Sequence, residues 1–134
     1  MFLDDHVDGL SRPECEMLLA STNVGRLSLS IDALPAVLPV NYQYLGGDII
    51  IGMADGPALR GIAHQPVVGL GVDNANWTDT PWAVLVLGRA TNVTDPDEHA
   101  QFQNLGLASP PGRTYAHYVR LQPDHLIGYN TTAP

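Results

Sequence analysis

The sequence predicts a mainly β protein, an antiparallel β-barrel with short helices at its periphery. Segments in which apolar and polar residues alternate with a period of two recur along the chain, and short turns rich in Gly, Pro and Asp join them. Strands do not alternate regularly with helices, as they would in a parallel sheet. The pattern amounts to about six or seven strands and two or three short helices, which is typical of antiparallel barrels.

The size and charge of the chain narrow the class of protein further. The 134 residues include 14 acidic and six basic side chains, for a formal charge of −8. Length and a 45% hydrophobic content predict a single domain over residues 1–134, with 1–9 as a loosely ordered arm and 130–134 as a tail. All six basic residues are arginines and they are scattered. We therefore expect no nucleic-acid partner and no membrane partner.

Cysteine usage and hydropathy favour a cytoplasmic location. Cys15 is the single cysteine, so no intramolecular disulfide can form. The acidic first residues lack the basic and apolar regions of a signal peptide. The longest apolar runs fall well short of the roughly 18 residues that a membrane span requires.

The first half of the chain predicts one helix followed by three strands in hairpin succession. Residues 11–14 are Ser-Arg-Pro-Glu, a capping box that opens a helix ending near residue 21. From Val24 to Ile31 the apolar period is two, which predicts a half-buried strand. The elements expected next are a turn over 32–35, a strand over 36–44, a hairpin turn over 45–48 and a strand over 48–53.

The second half predicts a short helix, more strands and a second capping box. Gly69 and Gly71 leave one face of a strand without side chains, which indicates a close backbone approach or a bulge. Residues 95–98 are Asp-Pro-Asp-Glu, a capping box that opens a helix reaching Leu105. The remaining predicted elements are a helix over 58–64, strands over 66–73, 81–93, 115–121 and 125–129, a polar loop over 73–80, a break at 110–112 and a turn at Pro123 and Asp124.

Side chains that could carry chemistry do not form a recognisable catalytic or metal-binding motif. No pair of histidines has an HxH or HxxxH spacing, so we interpret all five as surface or partly buried polar residues and expect no metal. Cys15 lies among apolar helix residues, as an inert packing thiol does. We assign no catalytic residue. The acidic residues at helix starts and turns are explained by capping: Glu14, Asp55, Asp95 and Glu98.

A composite pattern spread over the whole chain points to a family. Its segments are 24–27 (VGRL), 34–42 (LPAVLPVNY), 47–51 (GDIII), 82–90 (WAVLVLGRA), 119–123 (VRLQP) and 126–128 (LIG). In this order and spacing the sequence resembles the pyridoxamine 5′-phosphate oxidase-like family, the FMN-binding split β-barrel, from about residue 10 to residue 129. The resemblance implies a six-stranded antiparallel split barrel. It also implies a homodimer with FMN in clefts at the interface, acting as an oxidoreductase on a small molecule.

The resemblance also implies which positions hold the cofactor. The strand at 39–42 would run beside the isoalloxazine ring, and its backbone would contact the ring's polar edge. The positions of Gly52 and Met53, where the family has an Arg or similar residue and a Thr, and those of 56–59, where it has G-S-K-L, would cradle the phosphate. Trp82 would begin a segment that lines the same cleft. The implied cofactor-binding residues are Pro39, Val40, Asn41, Tyr42, Gly52, Met53, Ala58, Leu59, Arg60 and Trp82.

The sequence departs from the family pattern at the phosphate positions. Gly52 and Met53 replace the polar pair, and Ala58 stands where a lysine would neutralise the phosphate. Charge-assisted hydrogen bonds contribute about 1.5–3 kcal/mol each, so losing two of them weakens binding about a hundredfold or more. Arg60 would point roughly 200° away from Ala58 on a helix. The rival prediction is a non-catalytic split barrel that binds no flavin, or a different planar ligand such as F420 or haem.

Several of these residues also have an ordinary structural interpretation. Arg26 fits an ion pair at the barrel rim as well as a ligand contact. Trp82 is typical of a core or dimer-interface residue as well as of a ring-stacking partner. Asn41 can bind a ligand or satisfy a turn. Tyr42 and Tyr44 must face the side of the sheet opposite to Asn41.

Overall fold

A computed structural model describes residues 7–74, 81–107 and 115–131 of the chain. The predicted polar loop at 73–80, except its first two residues, and the predicted break at 110–112 lie outside the described residues. In chain order the elements are β1 (Val7–Gly9), α1 (Arg12–Ala20), β2 (Val24–Ile31), β3 (Leu34–Leu45), β4 (Asp48–Met53), α2 (Pro57–His64), β5 (Val67–Asp73), β6 (Trp82–Asn92), α3 (Pro96–Gln103) and β7 (His117–Thr131).

Six of the strands close into an antiparallel barrel with three short helices around it. The sheet order is β1-β7-β4-β3-β2-β5-β6, and β6 also pairs with β7, which closes the sheet on itself. All pairings are antiparallel. The predicted mainly β barrel with peripheral helices is therefore confirmed. Residues 7–9 of the predicted arm form β1, which pairs with Tyr129–Thr131 at the end of β7.

The barrel interior is filled by the inward-facing residues of every strand. Leu27, Ile51, Leu70 and Val86 are each fully buried there, on four different strands. Helix α1 adds Cys15 and Leu19, and α2 adds Ile62. The inert packing role predicted for Cys15 agrees with its burial, which raises the pKa of its thiol.

A second, smaller cluster lies on the outer face of β4 and β7, beneath α3. Ile50 and Tyr118 face outward from the sheet and pack against Phe102 of α3. The three consecutive isoleucines of β4 are all buried because Ile49 and Ile51 enter the barrel while Ile50 enters this outer cluster. The outer face of β4 is thus covered by protein at Ile50, and Gly52 of the candidate site lies on the same face.

The two predicted capping boxes have different outcomes. At α1 the prediction is confirmed, because the Glu14 backbone N–H donates to Ser11 Oγ (3.3 Å) and the Ser11 N–H donates to Glu14 Oε1 (3.1 Å). These hydrogen bonds lower the pKa of Glu14. At α3 the box is wrong: Asp95 accepts from the Asp97 N–H at 3.4 Å, but Glu98 does not return to the cap.

The Glu98 carboxylate accepts a hydrogen bond from Arg120 of β7 and does not cap α3, so the capping role predicted for Glu98 is wrong. The same guanidinium lies 3.4 Å from a carboxylate oxygen of Asp48. Its hydrogen bond to Glu98 raises the pKa of Arg120. A partner on a distant strand outcompetes the local backbone, since a charged guanidinium forms the stronger hydrogen bond.

Two predicted turns need correction. The turn at 32–35 comprises only Asp32 and Ala33, at φ values of 52° and 64°, and Leu34 already belongs to β3. The turn at Pro123 and Asp124 is wrong, because β7 runs unbroken from His117 to Thr131. Leu87 of β6 pairs with His125 and Gly88 pairs with Pro123, which leaves Asp124 as the extra residue of a β-bulge.

Gly88 allows the bulge, since a Cβ at this position would overlap the carbonyl oxygen of Gln122 on β7. The pairing of β5 with both neighbours is regular, so Gly69 and Gly71 mark no bulge, and the bulge at Gly88 was not predicted. The bare face at Gly69 is covered instead by the side chains of Leu87 and Leu85.

Candidate functional site

The strand predicted to lie beside the cofactor ring, residues 39–42 of β3, has two distinct faces. Val40 and Tyr42 point into the barrel, and Tyr42 is fully buried with its hydroxyl donating to the Leu19 carbonyl at 2.7 Å. Burial raises the pKa of Tyr42. Pro39 is exposed and Asn41 is half-buried on the outer face. Only the backbone of Val40 and Tyr42, together with Pro39 and Asn41, can therefore contact a ligand outside the barrel.

An aromatic ring already packs on this outer face, beside Asn41. Gly52 faces outward from β4, and a Cβ at that position would overlap the ring of Tyr115. Asn41 Nδ2 donates a hydrogen bond of 2.7 Å to the Tyr115 hydroxyl, and the Tyr115 ring meets Tyr118 edge-on at 6.4 Å between centroids. Our sequence prediction missed Tyr115. A glycine inside a strand was the available signal, because it often marks a close approach by another group.

The predicted phosphate positions offer no polar side chain. Met53 is 3% exposed and belongs to the barrel core. Ala58 and Leu59 lie on the side of α2 that packs against the same core. Side-chain donors for a phosphate are therefore absent at Gly52, Met53, Ala58 and Leu59, as the sequence indicated.

A carboxylate stands in the loop between β4 and α2. Asp55 was predicted to cap α2, which is wrong: the N-cap residue is Gly56, with no side-chain hydrogen bond to the helix. Asp55 is 82% exposed, and its Oδ1 lies 3.8 Å from Nε2 of His117 on β7. A negative charge beside the helix start disfavours a phosphate there.

Arg60 and Arg26 lie apart from the phosphate positions. Arg60 is exposed on the side of α2 away from the core, where it lines a cavity with the β2–β3 turn. Arg26 makes the predicted alternative, an ion pair, with its Nη1 3.6 Å from Oδ2 of Asp73. Arg26, Asp73 and Pro39 line a smaller cavity of about 230 Å³ on the outer face of β2.

Trp82 is half-buried against the barrel core, which agrees with its structural interpretation. Its backbone N–H donates to Asn74 Oδ1 at 3.4 Å. Trp82 pairs with Asn130 and Gly52 pairs with Tyr118, so the two residues lie toward opposite ends of β7. One chain therefore brings Asn41 and Gly52 together but leaves Trp82 away from them.

Metal and membrane features are absent from the described parts of the chain. Over residues 7–74, 81–107 and 115–131, no three His, Cys, Asp or Glu side chains group together in a way that could hold a metal ion. Within the same ranges, no helix is both long and apolar enough to span a bilayer.

The six strands form an antiparallel split barrel in which Gly52 and Asn41 face outward from the adjacent strands β4 and β3. Residues 11–130 match the family model described as pyridoxamine 5′-phosphate oxidase. The chain belongs to this family.

Three relatives illustrate the similarity. An uncharacterised protein of Mycobacterium tuberculosis is 37% identical over 103 residues, which cover 72% of this chain and 67% of that protein. A candidate pyridoxamine 5′-phosphate oxidase from Corynebacterium glutamicum is 26% identical with a TM-score of 0.79, and the match covers 98% of each chain. An FAD-binding protein from Mycobacterium smegmatis is 27% identical with a TM-score of 0.76, covering 92% of this chain and 97% of that one.

Proposed function

We propose that this protein binds a flavin such as FMN and serves as an oxidoreductase acting on a small molecule. The observation that carries the proposal is the outer face of β3 and β4, where Gly52 leaves room for a flat ring and Asn41 presents an amide to its edge. Family membership and the similarity to an FAD-binding protein support it.

The residues at this face fit the ring end of a flavin. The Tyr115 ring is itself a planar group seated over Gly52 and hydrogen-bonded to Asn41, so the face accepts such a shape. With the Tyr115 ring displaced, the Asn41 amide and the backbone of 39–42 would lie along the polar edge of the isoalloxazine. When bound, the flavin supplies hydride or electron transfer, while the chain positions the ring and excludes water from it.

The residues at the phosphate end do not fit FMN. Met53 and Ala58 pack on the core, and the Asp55 carboxylate immediately precedes the N-cap residue Gly56. The phosphate of FMN therefore gains no charge-assisted hydrogen bond from these side chains. Since the phosphate gains no such hydrogen bond, it should add little to the binding free energy. We therefore expect FMN and riboflavin to bind with dissociation constants within about threefold of each other.

Ala58→Lys is expected to restore preference for the phosphate. A lysine ammonium at the start of α2 adds one charge-assisted hydrogen bond, about 1.5–3 kcal/mol, so FMN should bind at least about tenfold more tightly than riboflavin. Quenching of flavin fluorescence during titration measures both dissociation constants. Half-burial of Ala58 is compatible with a lysine whose stem follows the surface and whose ammonium reaches water.

Ala58→Met is the matched control, since it adds a similar stem without charge and should leave the FMN to riboflavin ratio unchanged. An equal ratio in the Lys and Met variants would place the phosphate elsewhere. If neither the natural protein nor the lysine variant quenches either flavin at micromolar concentration, the flavin proposal itself fails.

We also propose that the protein is a homodimer whose interface borders the flavin face. One row of outward-facing residues crosses five strands in register, comprising Pro39, Arg26, Gly71, Leu85 and Ile127. The neighbouring row adds Val37, which is 66% exposed, and Leu87. The apolar members of these two rows are interrupted by Arg26, which pairs with Asp73, and exposed apolar residues next to such polar groups are typical of a protein–protein contact.

Leu85→Asp is expected to separate the subunits. A carboxylate at the centre of an apolar interface is costly to desolvate, so the dimer dissociation constant should rise at least about a hundredfold. Sedimentation velocity should then report the mass of one 14.4 kDa chain where the natural protein sediments as two. Met17→Asp, at a 66% exposed position on α1, should leave the dimer intact. Sedimentation of the natural protein as a single chain would refute the dimer.

The second candidate function is a non-catalytic split barrel that binds a planar ligand other than a flavin. The apolar phosphate end favours it, since Gly52, Met53 and Ala58 present no donor to an anionic tail. Haem needs no phosphate site, whereas F420 carries an anionic tail like that of FMN. The visible spectrum of the purified protein distinguishes them, because flavins, F420 and haem absorb at different wavelengths.

A further inference from the structure

Arg60 stands apart from the other arginines that the structure describes. The other four each have a carboxylate oxygen within ion-pair distance, whereas no such partner lies within that distance of Arg60 in the described ranges. The pairs are Arg12 with Glu16 (3.0 Å), Arg26 with Asp73 (3.6 Å), Arg89 with Asp124 (3.9 Å), and Arg120 with Glu98 and Asp48.

This guanidinium lines a cavity of about 700 Å³ between α2 and the β2–β3 turn. On the helix side the lining residues recur every three or four positions, so they form one face of α2: Pro57, Arg60, Gly61 and His64. Gly61 lets α2 lie directly on β2, since a Cβ there would come within 2.6 Å of the Ser30 carbonyl oxygen. That contact fixes the distance between the two walls.

The opposite wall is the strained two-residue turn. Asp32 and Ala33 both have positive φ, 52° and 64°, and alanine rarely adopts this region. Positive φ at both central residues is what a two-residue type I′ hairpin turn requires, so the turn holds Asp32 and Ala33 in place along this wall.

The chemistry of the lining defines the ligand. A guanidinium forms two parallel hydrogen bonds to an oxyanion, and His64 adds a ring N–H one helical turn further on. Ser30, Gln65 and Asp32 also line the cavity, and a carboxylate such as that of Asp32 can accept hydrogen bonds from hydroxyl or amino groups. The volume lies in the range of small-molecule sites and exceeds that of a single ion.

We infer that this cavity binds a phosphorylated small molecule that also carries hydroxyl groups, with its phosphate on Arg60 and His64 and its hydroxyls toward Asp32. The site is distinct from the proposed flavin site, because Ala58 and Arg60 lie on different sides of α2. It goes beyond the proposed function and does not depend on it.

The inference can be tested by isothermal titration calorimetry with ribose 5-phosphate and with inorganic phosphate. Both titrations are run at constant ionic strength and without flavin. The natural protein should bind ribose 5-phosphate saturably, one per chain, and more tightly than inorganic phosphate. Arg60→Gln should weaken ribose 5-phosphate at least about tenfold, since it removes the bidentate charged contact. Asp32→Asn should remove the advantage of the sugar phosphate over inorganic phosphate.

Arg89→Gln is the matched control, because Arg89 is an exposed arginine on β6 outside the cavity. It should bind ribose 5-phosphate as the natural protein does. If the Arg60 and Arg89 variants lose affinity for ribose 5-phosphate equally, the effect is one of overall charge and the proposed site is refuted. The absence of saturable binding would also refute it. Since no flavin is present, either result leaves the flavin proposal to its own test.

Discussion

Gly88→Ala is expected to lower the free energy of unfolding by about 3 kcal/mol, the largest loss of stability that we predict for a single methyl group. The added Cβ would overlap the Gln122 carbonyl oxygen at the bulge where β6 meets β7. Backbone atoms on both strands would have to move, and this pairing closes the barrel. Urea denaturation should show a lower midpoint with an unchanged slope, and the Tm should fall by roughly 10 °C.

Gly9→Ala provides the comparison for this substitution. Gly9 lies on β1, and no atom lies within 4 Å of the position that its Cβ would occupy. The change should alter stability by less than about 0.5 kcal/mol. If Gly88→Ala proves as mild as Gly9→Ala, then β7 can shift its bulge without cost, and the loss predicted from the overlap with Gln122 is wrong.

Tyr115→Ala is expected to tighten flavin binding about tenfold. In the proposed function the isoalloxazine and the Tyr115 ring require the same place over Gly52, so a flavin must first displace the tyrosine. Displacement costs the hydrogen bond to Asn41 and the edge contact with Tyr118, together about 1–3 kcal/mol. Removing the ring removes this cost, and fluorescence titration with riboflavin measures the gain without involving the phosphate.

Tyr115→Phe separates the two contributions, because it keeps the ring and removes only the hydrogen bond to Asn41. Its gain in riboflavin affinity should be smaller than that of Tyr115→Ala. Weaker binding in the alanine variant would mean that Tyr115 stacks on the flavin, and the competition described above would be refuted. Melting curves of both variants verify that the outer cluster of Ile50, Phe102 and Tyr118 still folds.

Much of the candidate site could be predicted from the sequence, but only as positions along strands. The family pattern placed 39–42 on β3 and Gly52 and Met53 at the end of β4, and the strands lie there. The alternation of strand residues predicts two faces without stating which one enters the barrel. Burial resolved this: Val40, Tyr42 and Met53 belong to the core, which leaves Asn41 and Gly52 facing outward.

Local features of the fold were determined by the sequence alone. The capping box of α1, the alternating strand β2 and the glycine turn between β3 and β4 each depend on residues within a few positions of one another. Their free energies come from short-range hydrogen bonds and backbone preferences. For this reason they could be recognised without knowledge of the rest of the chain.

Only the tertiary structure decided which distant residues meet. The hydrogen bond from Asn41 to Tyr115 spans 74 positions, and the bond from Arg120 to Glu98 replaces the local cap predicted for that glutamate. β7 continues through Pro123 because Gly88 of β6 accommodates a bulge opposite it. These outcomes depend on which strands become neighbours when the barrel closes, and no local pattern of residues encodes that.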